Sequence, residues 1–561
     1  MVAFVVSMFG ARLVQLQGID ENDYAAMAVE RGAQTVAIDA PRASIYDRNG
    51  VALAQSVDSA KLTADPTYTA RDATRIATVL HARIGVDYIA TVDLLRKKDT
   101  RYVEIARHLE PALASHLVSR LTAAGISGVY TDDDTTRIYP AGDVAANVLG
   151  FVGTDDTGLE GLESVFDSTL AGTDGSATFE VSADGLQLPL ADKTVTAPQE
   201  GTGLTLTIDQ DLQFLAQQRL AEAVAGVHAT SGSAVIMDVK TGQILALADY
   251  PTFDPNQWQS APDALGAPSL QDPYEPGSVE KPLTFAALID AHKVTPRTHI
   301  NVPPTLPSSD AVIHDWNDGH GWLRLTATGA VAQSSNIATA KAAREMQPDR
   351  LRGYLTKFGL GTPTHTGLGQ ESGGDLPASQ DWLQVTRDNI AFGQGLSVTA
   401  VQMTAALAAI ANAGVYVEPS LISGYVDSAG DTTPTDVPDR HRVVSARAAH
   451  AVARMMEAVL GKDGLAPDEN IPGYRVAGKT GTAQAVAESC GCYRDTVVSF
   501  GGFAPADAPR FVVYVVVNRP KDGASGGGTA GPVFKDLMVA ALQKFGVPPT
   551  GEEAPALPVY W

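Results

Sequence analysis

The chain has 561 residues, more than one hydrophobic core organises, so two or more domains are expected. Apolar residues make up 44% and charged residues 19%, the balance of globular protein and not of a disordered tail. A formal net charge of -23 excludes the basic surface that phosphate backbones require, so nucleic acid is not an expected partner.

Residues 1–9 are almost wholly apolar, but Arg12 interrupts them well short of the roughly 20 residues a spanning helix needs. Three readings fit: a packed amphipathic helix, a signal-peptide remnant, or the outer end of a membrane anchor. Asp47-Arg48-Asn49-Gly50 predicts a hairpin turn, with Asn-Gly supplying positive φ. Helical spacing recurs over residues 72–84 and 109–123, so the region from about 70 to 124 should mix helices and strands. Residues 137–163 are rich in Gly and Asp and read as a long structured loop.

The Pro- and Gly-containing joint at 197–203 marks a domain boundary. A short strand at 204–208 follows, then a helix from Asp209 to about Val227, then strands at 232–238 and 242–248. Lys240-Thr241-Gly242 joins the last two and reads as turn chemistry. Helices are predicted over 338–345 and 400–413, with Gly393-Gln394-Gly395 breaking the chain before the second. Strands at 496–503 and 511–517 and a final helix at 533–545 complete an α/β sandwich whose sheet joins early and late strands. Cys490 and Cys492 are too few to staple such a chain, and their spacing favours two free thiols over a strained loop disulfide. Two thiols close no zinc site, and the histidines show no ligand spacing, so neither metal nor cofactor is expected.

Three short stretches carry chemistry. In Ser278-Val279-Glu280-Lys281, a helix starting near Ser278 would set the hydroxyl and the amine one turn apart on one face, a nucleophile beside its base. Pro282 is cheapest within the first turn of such a helix, and its N–H groups would face a developing oxyanion. Alone, Ser-x-x-Lys is as readily a helix cap. Ser334-Ser335-Asn336 and Lys479-Thr480-Gly481-Thr482 follow it in order and change that reading.

The ordered triple resembles the active site of penicillin-binding proteins and serine β-lactamases. Over nearly its whole length the chain is similar to class B penicillin-binding proteins of the division-type D,D-transpeptidase family. Asp47-Arg48-Asn49-Gly50, Arg137-Ile138-Tyr139-Pro140 and Gly158-Leu159-Glu160-Gly161-Leu162-Glu163 resemble that family's non-catalytic half. The resemblance implies an α+β multidomain protein. A mixed pedestal (dimerisation-type) domain at 18–200 precedes a penicillin-binding/serine β-lactamase-like transpeptidase domain at 203–548, with a central antiparallel sheet flanked by helices. Residues 549–561 form a C-terminal tail. Ala11 to Gln17 resembles the segment after the family's anchor, which favours the anchor-end reading for 1–17, a single N-terminal membrane anchor and an extracytoplasmic catalytic domain.

By the same resemblance, Ser278, deprotonated by Lys281, attacks the penultimate carbonyl of a D-alanyl-D-alanine stem peptide. Ser334 relays a proton to the leaving amine, and Asn336 binds the peptide backbone. Lys479, Thr480 and Thr482 hold the terminal carboxylate, and Gly481 lets the substrate backbone approach the strand. The backbone N–H groups of Ser278 and Thr482 form the oxyanion hole. An amine from a second stem peptide then makes the cross-link, and β-lactam antibiotics acylate the same serine. Implied partners are peptidoglycan stem peptides, a membrane-embedded glycan polymerase and other divisome proteins. Hydrolytic alternatives are a D,D-carboxypeptidase or β-lactamase; a non-catalytic scaffold or β-lactam sensor is the alternative from another class. Glu280 is the visible departure, since an acid aimed at Lys281 would hold it protonated. Helix geometry predicts that it faces away.

Overall fold

A computed structural model describes residues 2–14, 33–180, 193–487, 490–521 and 523–561. They fall into two compact units. One comprises Met1–Ala43, Ser56–Ile138 and Ser168–Thr202, and the other Ser44–Gln55, Tyr139–Asp167 and Gly203–Trp561.

In the first unit, helix Val2–Val14 exposes Phe4, Met8 and Phe9. No helix among the described residues is long and apolar enough to cross a membrane. The segment 15–17, expected to follow an anchor, lies outside the described residues. Strands Ala33–Ile38, Gly175–Glu180 and Lys193–Thr196 form an antiparallel sheet in that order. Helices Ala73–Ile84, Tyr88–Leu95 and Pro111–Ala123 share a core with Leu62, Ile76, Leu80, Leu95, Leu117 and Leu121. The two helices expected from periodicity are present, because their apolar spacing matches a buried face. Strands Val103–Leu109 and Val129–Ile138 supply the mixed character expected of this region.

The second unit is built on five strands: β1 (Ser231–Asp238), β2 (Ile244–Tyr250), β3 (Ala477–Ala487), β4 (Cys492–Ala504) and β5 (Phe511–Asn518). Their order is β2-β1-β5-β4-β3, antiparallel throughout, which places β3 at an edge. Residues 511–517 of β5 are all buried, as a continuous β-branched run requires of a strand covered on both faces. Helices α1 (Gln210–Gly226) and α6 (Gly531–Lys544) pack together on one face. Helix α4 (Ala400–Ala411) lies on the other and is buried at every residue, which explains why it is apolar apart from Gln402 and Thr404. Asp209 caps α1, its side chain accepting from Leu212 N at 3.2 Å.

Around Asp47, the carboxylate accepts from the backbone N of Asn49 and Val51 at 2.7 and 2.8 Å, and Gly50 takes φ +82 between the paired strands Ile45–Tyr46 and Ala52–Ala64. Lys240-Thr241-Gly242 is a turn, as its spacing predicted, with Gly242 at φ +73. The loop 137–163 contains the short helix Ala146–Leu149, and a second, Gly161–Val165, begins at its end. The chain end docks against this unit: Thr326 N donates to the Val559 carbonyl at 3.0 Å, and Trp561 stacks on His299. Cys490 and Cys492 are joined in a disulfide with Cα atoms 5.2 Å apart, where the spacing had favoured free thiols. They sit where the β3–β4 hairpin turns, and that local geometry is not readable from the spacing alone.

Candidate active site

The three motifs meet at one cleft of about 510 Å³, lined among others by Ser278, Ser334, Asn336, Thr480 and Thr482. Ser278 does not open an α-helix. It lies in a 3-10 turn, Gly277–Val279, and the α-helix begins at Lys281 (α2, Lys281–Asp290) with Pro282 in its first turn. The shift has a steric cause. Gly277 takes φ +56, donates its N–H to the Gly393 carbonyl at 2.9 Å, and is so close to β3 that a Cβ would lie 2.9 Å from the Thr482 carbonyl. The serine therefore sits in a tight turn wedged between the Phe392–Gly393 loop and the edge strand. Its hydroxyl has no hydrogen-bond partner among the described residues and faces the cleft.

Below it lies a buried chain of polar groups. Lys281 Nζ reaches the Ser334 carbonyl at 2.5 Å, Asn336 Oδ1 at 2.8 Å and Ser334 Oγ at 3.3 Å. Lys479 Nζ donates to the same Ser334 Oγ at 2.9 Å, and to Thr480 O at 2.8 Å. Both lysines are fully buried. Burial lowers Lys281 to about 7, against the opposing charges of Asp315 and Glu280. Burial and then the neighbouring Lys281 charge push Lys479 well below the usual lysine range. Like charges this close each disfavour the other's ammonium. A neutral Lys281 keeps two donors for Ser334 O and Asn336 Oδ1 and has a lone pair left to accept a proton.

Ser334 occupies φ +54, a conformation that L residues adopt at a cost of order 1 kcal/mol. It ends the turn after helix Ala327–Ala332 and puts its hydroxyl between the two amines. Ser335 caps α3 (Asn336–Ala343), accepting from Ala338 N at 2.9 Å and donating to Asp315 Oδ2 at 2.8 Å. Asp315 also accepts from Ile337 N at 3.0 Å, and Asn336 Nδ2 donates to the His314 carbonyl at 2.9 Å. Asp315 is thus a buried anchor for the Ser-x-Asn turn that sequence reasoning missed. An acid 20 residues upstream of the serine it holds belongs to no spacing rule.

On β3, Thr480 and Thr482 share a face by strand alternation and both line the cleft. Gly481 was expected to make room for substrate backbone. A Cβ there would lie 2.2 Å from Ser499 Oγ and 2.7 Å from Val279 Cγ2, so the glycine is needed to seat the serine turn and β4 against the strand. Glu280 is fully buried, with its Oε1 accepting from Thr284 Oγ1 at 2.7 Å one turn along the helix. Burial raises its carboxyl well above the usual carboxylate range, and Thr284 and the Lys281 charge oppose that rise. Among the described residues no group of His, Cys, Asp and Glu could hold a metal ion.

A serine in a tight turn, two buried lysines bridged by a second serine, and hydroxyls on an edge strand define an active-serine acyl-transfer enzyme of the penicillin-recognising class. The penicillin-binding protein transpeptidase domain matches residues 232–539, and the penicillin-binding protein dimerisation domain matches 37–206. The chain is 36% identical to penicillin-binding protein PbpB of Mycobacterium tuberculosis, over 92% of this chain and 80% of that protein. It is 32% identical to peptidoglycan D,D-transpeptidase FtsI of Escherichia coli, over 95% of this chain and 87% of that protein. Among solved structures, penicillin-binding protein 3 of M. tuberculosis complexed with aztreonam superposes with a TM-score of 0.73 at 33% identity, covering 94% of this chain and 100% of that one. The chain belongs to the class B penicillin-binding protein family.

Proposed function

We propose that this protein is a peptidoglycan D,D-transpeptidase that cross-links stem peptides through a Ser278 acyl-enzyme during septal wall synthesis and is acylated by β-lactams. The observation that carries the reading is the buried Lys281–Ser334–Lys479 chain beside Ser278, in a chain of this family. Lys281 takes the Ser278 proton as Oγ attacks the penultimate carbonyl. The oxyanion is held by the backbone N–H groups of Ser278 and Thr482. The proton returns through Ser334 to the leaving D-alanine amine, whose carboxylate is bound by Thr480 and Thr482 near Lys479. Asn336 fixes Lys281 and the donor backbone. The catalytic unit works outside the cytoplasmic membrane on an N-terminal anchor, beside a glycan polymerase and other division proteins.

The test is covalent labelling by a fluorescent penicillin with mass mapping of the adduct. A long-lived adduct on Ser278 is expected. An adduct that forms and is quickly lost would make the protein a β-lactamase, and a folded protein that takes no label would be a scaffold.

The acylation rate should depend on pH with a set sign. Attack needs Lys281 neutral, so the rate rises as pH climbs through about 7 and then levels. Two pH units below that midpoint it should stand at about a hundredth of the plateau. Stopped-flow acylation across pH checks this, and a rate flat through that range would remove Lys281 as the base.

A further inference from the structure

The cleft wall beyond Thr480 is acidic. Asp468 and Glu469 line it, at the end of a loop that starts at Leu465. Glu469 is only 6% exposed, yet among the described residues its carboxylate has no hydrogen-bond or ion-pair partner. It packs against the backbone at the start of α6, where a Cβ on Gly531 would lie 2.8 Å from Oε1. Lys535, a cation nearby, donates to the Asp468 carbonyl at 2.6 Å. Burial raises the Glu469 carboxyl, Lys535 opposes the rise, and Asp468 and Asp536 add to it. A cleft-lining carboxylate with no protein cation bonded to it is open to a cation that enters the cleft.

The loop's position says which cation. Gly527 lies between the loop and β3: a Cβ there would be 3.6 Å from the Leu465 carbonyl and 3.8 Å from Thr480 Cγ2. Asp468 and Glu469 therefore line the same cleft as Thr480, whose hydroxyl, in the function proposed above, holds the carboxylate of the departing D-alanine. A second carboxylate suits neither that group nor the leaving residue. By microscopic reversibility, the incoming amine enters along the path by which the leaving amine departs.

We infer that Glu469, aided by Asp468, receives the acyl acceptor as a primary ammonium and so selects cationic amines over water in the second half-reaction. This rests on the transpeptidase reading. The ammonium sheds one proton to solvent past the carboxylates, and its lone pair forms the C–N bond at the acyl carbon. The C–Oγ bond to Ser278 then breaks, and a second N–H proton goes to Oγ.

The test uses the whole chain, a thioester of N-acyl-D-alanine as donor, and two acceptors: glycinamide, cationic at neutral pH, and hydroxylamine, neutral there. The readout is the ratio of aminolysis to hydrolysis product. Glu469→Gln should lower the glycinamide ratio about tenfold relative to the hydroxylamine ratio, and Glu469→Asp should restore most of it. Should Glu469→Gln not fold, Asp468→Asn at the exposed neighbour should lower the same relative ratio, and added salt should do so in the unaltered protein. Equal falls for both acceptors, or none, would overturn the inference. No acyl-enzyme from the donor in the unaltered protein would instead overturn the transpeptidase reading beneath it.

Discussion

A Lys281→Met protein should acylate with penicillin about 1,000-fold more slowly than the unaltered chain. Methionine keeps a long unbranched side chain in the buried site but removes the amine that reaches Ser334 O and Asn336 Oδ1 together. Loss of the general base is the larger effect. A second effect is structural, because those two oxygens lose a donor in a buried place, at a cost of about 1–3 kcal/mol each. The two are separable. If Lys281 is the base, the slow residual acylation loses the rise with pH through about 7 that the unaltered protein shows. A variant that is slow but keeps the same pH midpoint would mean that Lys281 only holds the Ser-x-Asn turn, and the base must be sought elsewhere. Stopped-flow labelling with a thermal melt on the same sample decides it.

The chemistry of this site was legible because each motif is a short string whose residue types serve a role at fixed local spacing. What was not legible is what the motifs require of each other. Lys479 and Ser334 bond across 145 residues, and only the fold brings them to 2.9 Å. The same holds for Asp315, which anchors Ser335 and Ile337 without belonging to any string. Ser278 shows the limit within a motif. Three-residue spacing is right for a helix face, but the turn is set by Gly277 contacts with Gly393 and Thr482, so the helix starts at Lys281. Gly481 has a packing neighbour that no string shows, since a Cβ there would lie 2.2 Å from Ser499 Oγ. Long periodic elements such as 72–84 and the Val-rich β5 were readable from pattern, since burial on one face or two writes itself into composition. Short strands such as His299–Val302 carry too few residues for a period.

Gly393→Ala should disable the site from behind. Gly393 takes φ +89, and a Cβ there would lie 1.9 Å from the Gly277 carbonyl oxygen and 2.6 Å from its carbon, both backbone. No rotamer relieves such a clash, so the serine turn or the Phe392–Gly393 loop must move. The two are tied by the Gly277 N–H on the Gly393 carbonyl at 2.9 Å, and the turn has no room on its far side, where Thr482 O stands 2.9 Å from a Gly277 Cβ position. Overpacking and the left-handed backbone together should cost about 4 kcal/mol, a fall of about 5 °C in Tm for a unit of this size. The larger loss is catalytic. Gly277 separates the two proposed oxyanion donors, and a shift of about 1 Å there should slow penicillin acylation about 100-fold. Gly395→Ala is the control, because its φ of +71 is also left-handed but the nearest atom to a Cβ is 3.9 Å away. It should show the backbone penalty of about 1 kcal/mol with little change in acylation. Equal losses in the two variants would mean that backbone strain, and not the wedge of Gly277 between loop and strand, sets the position of Ser278.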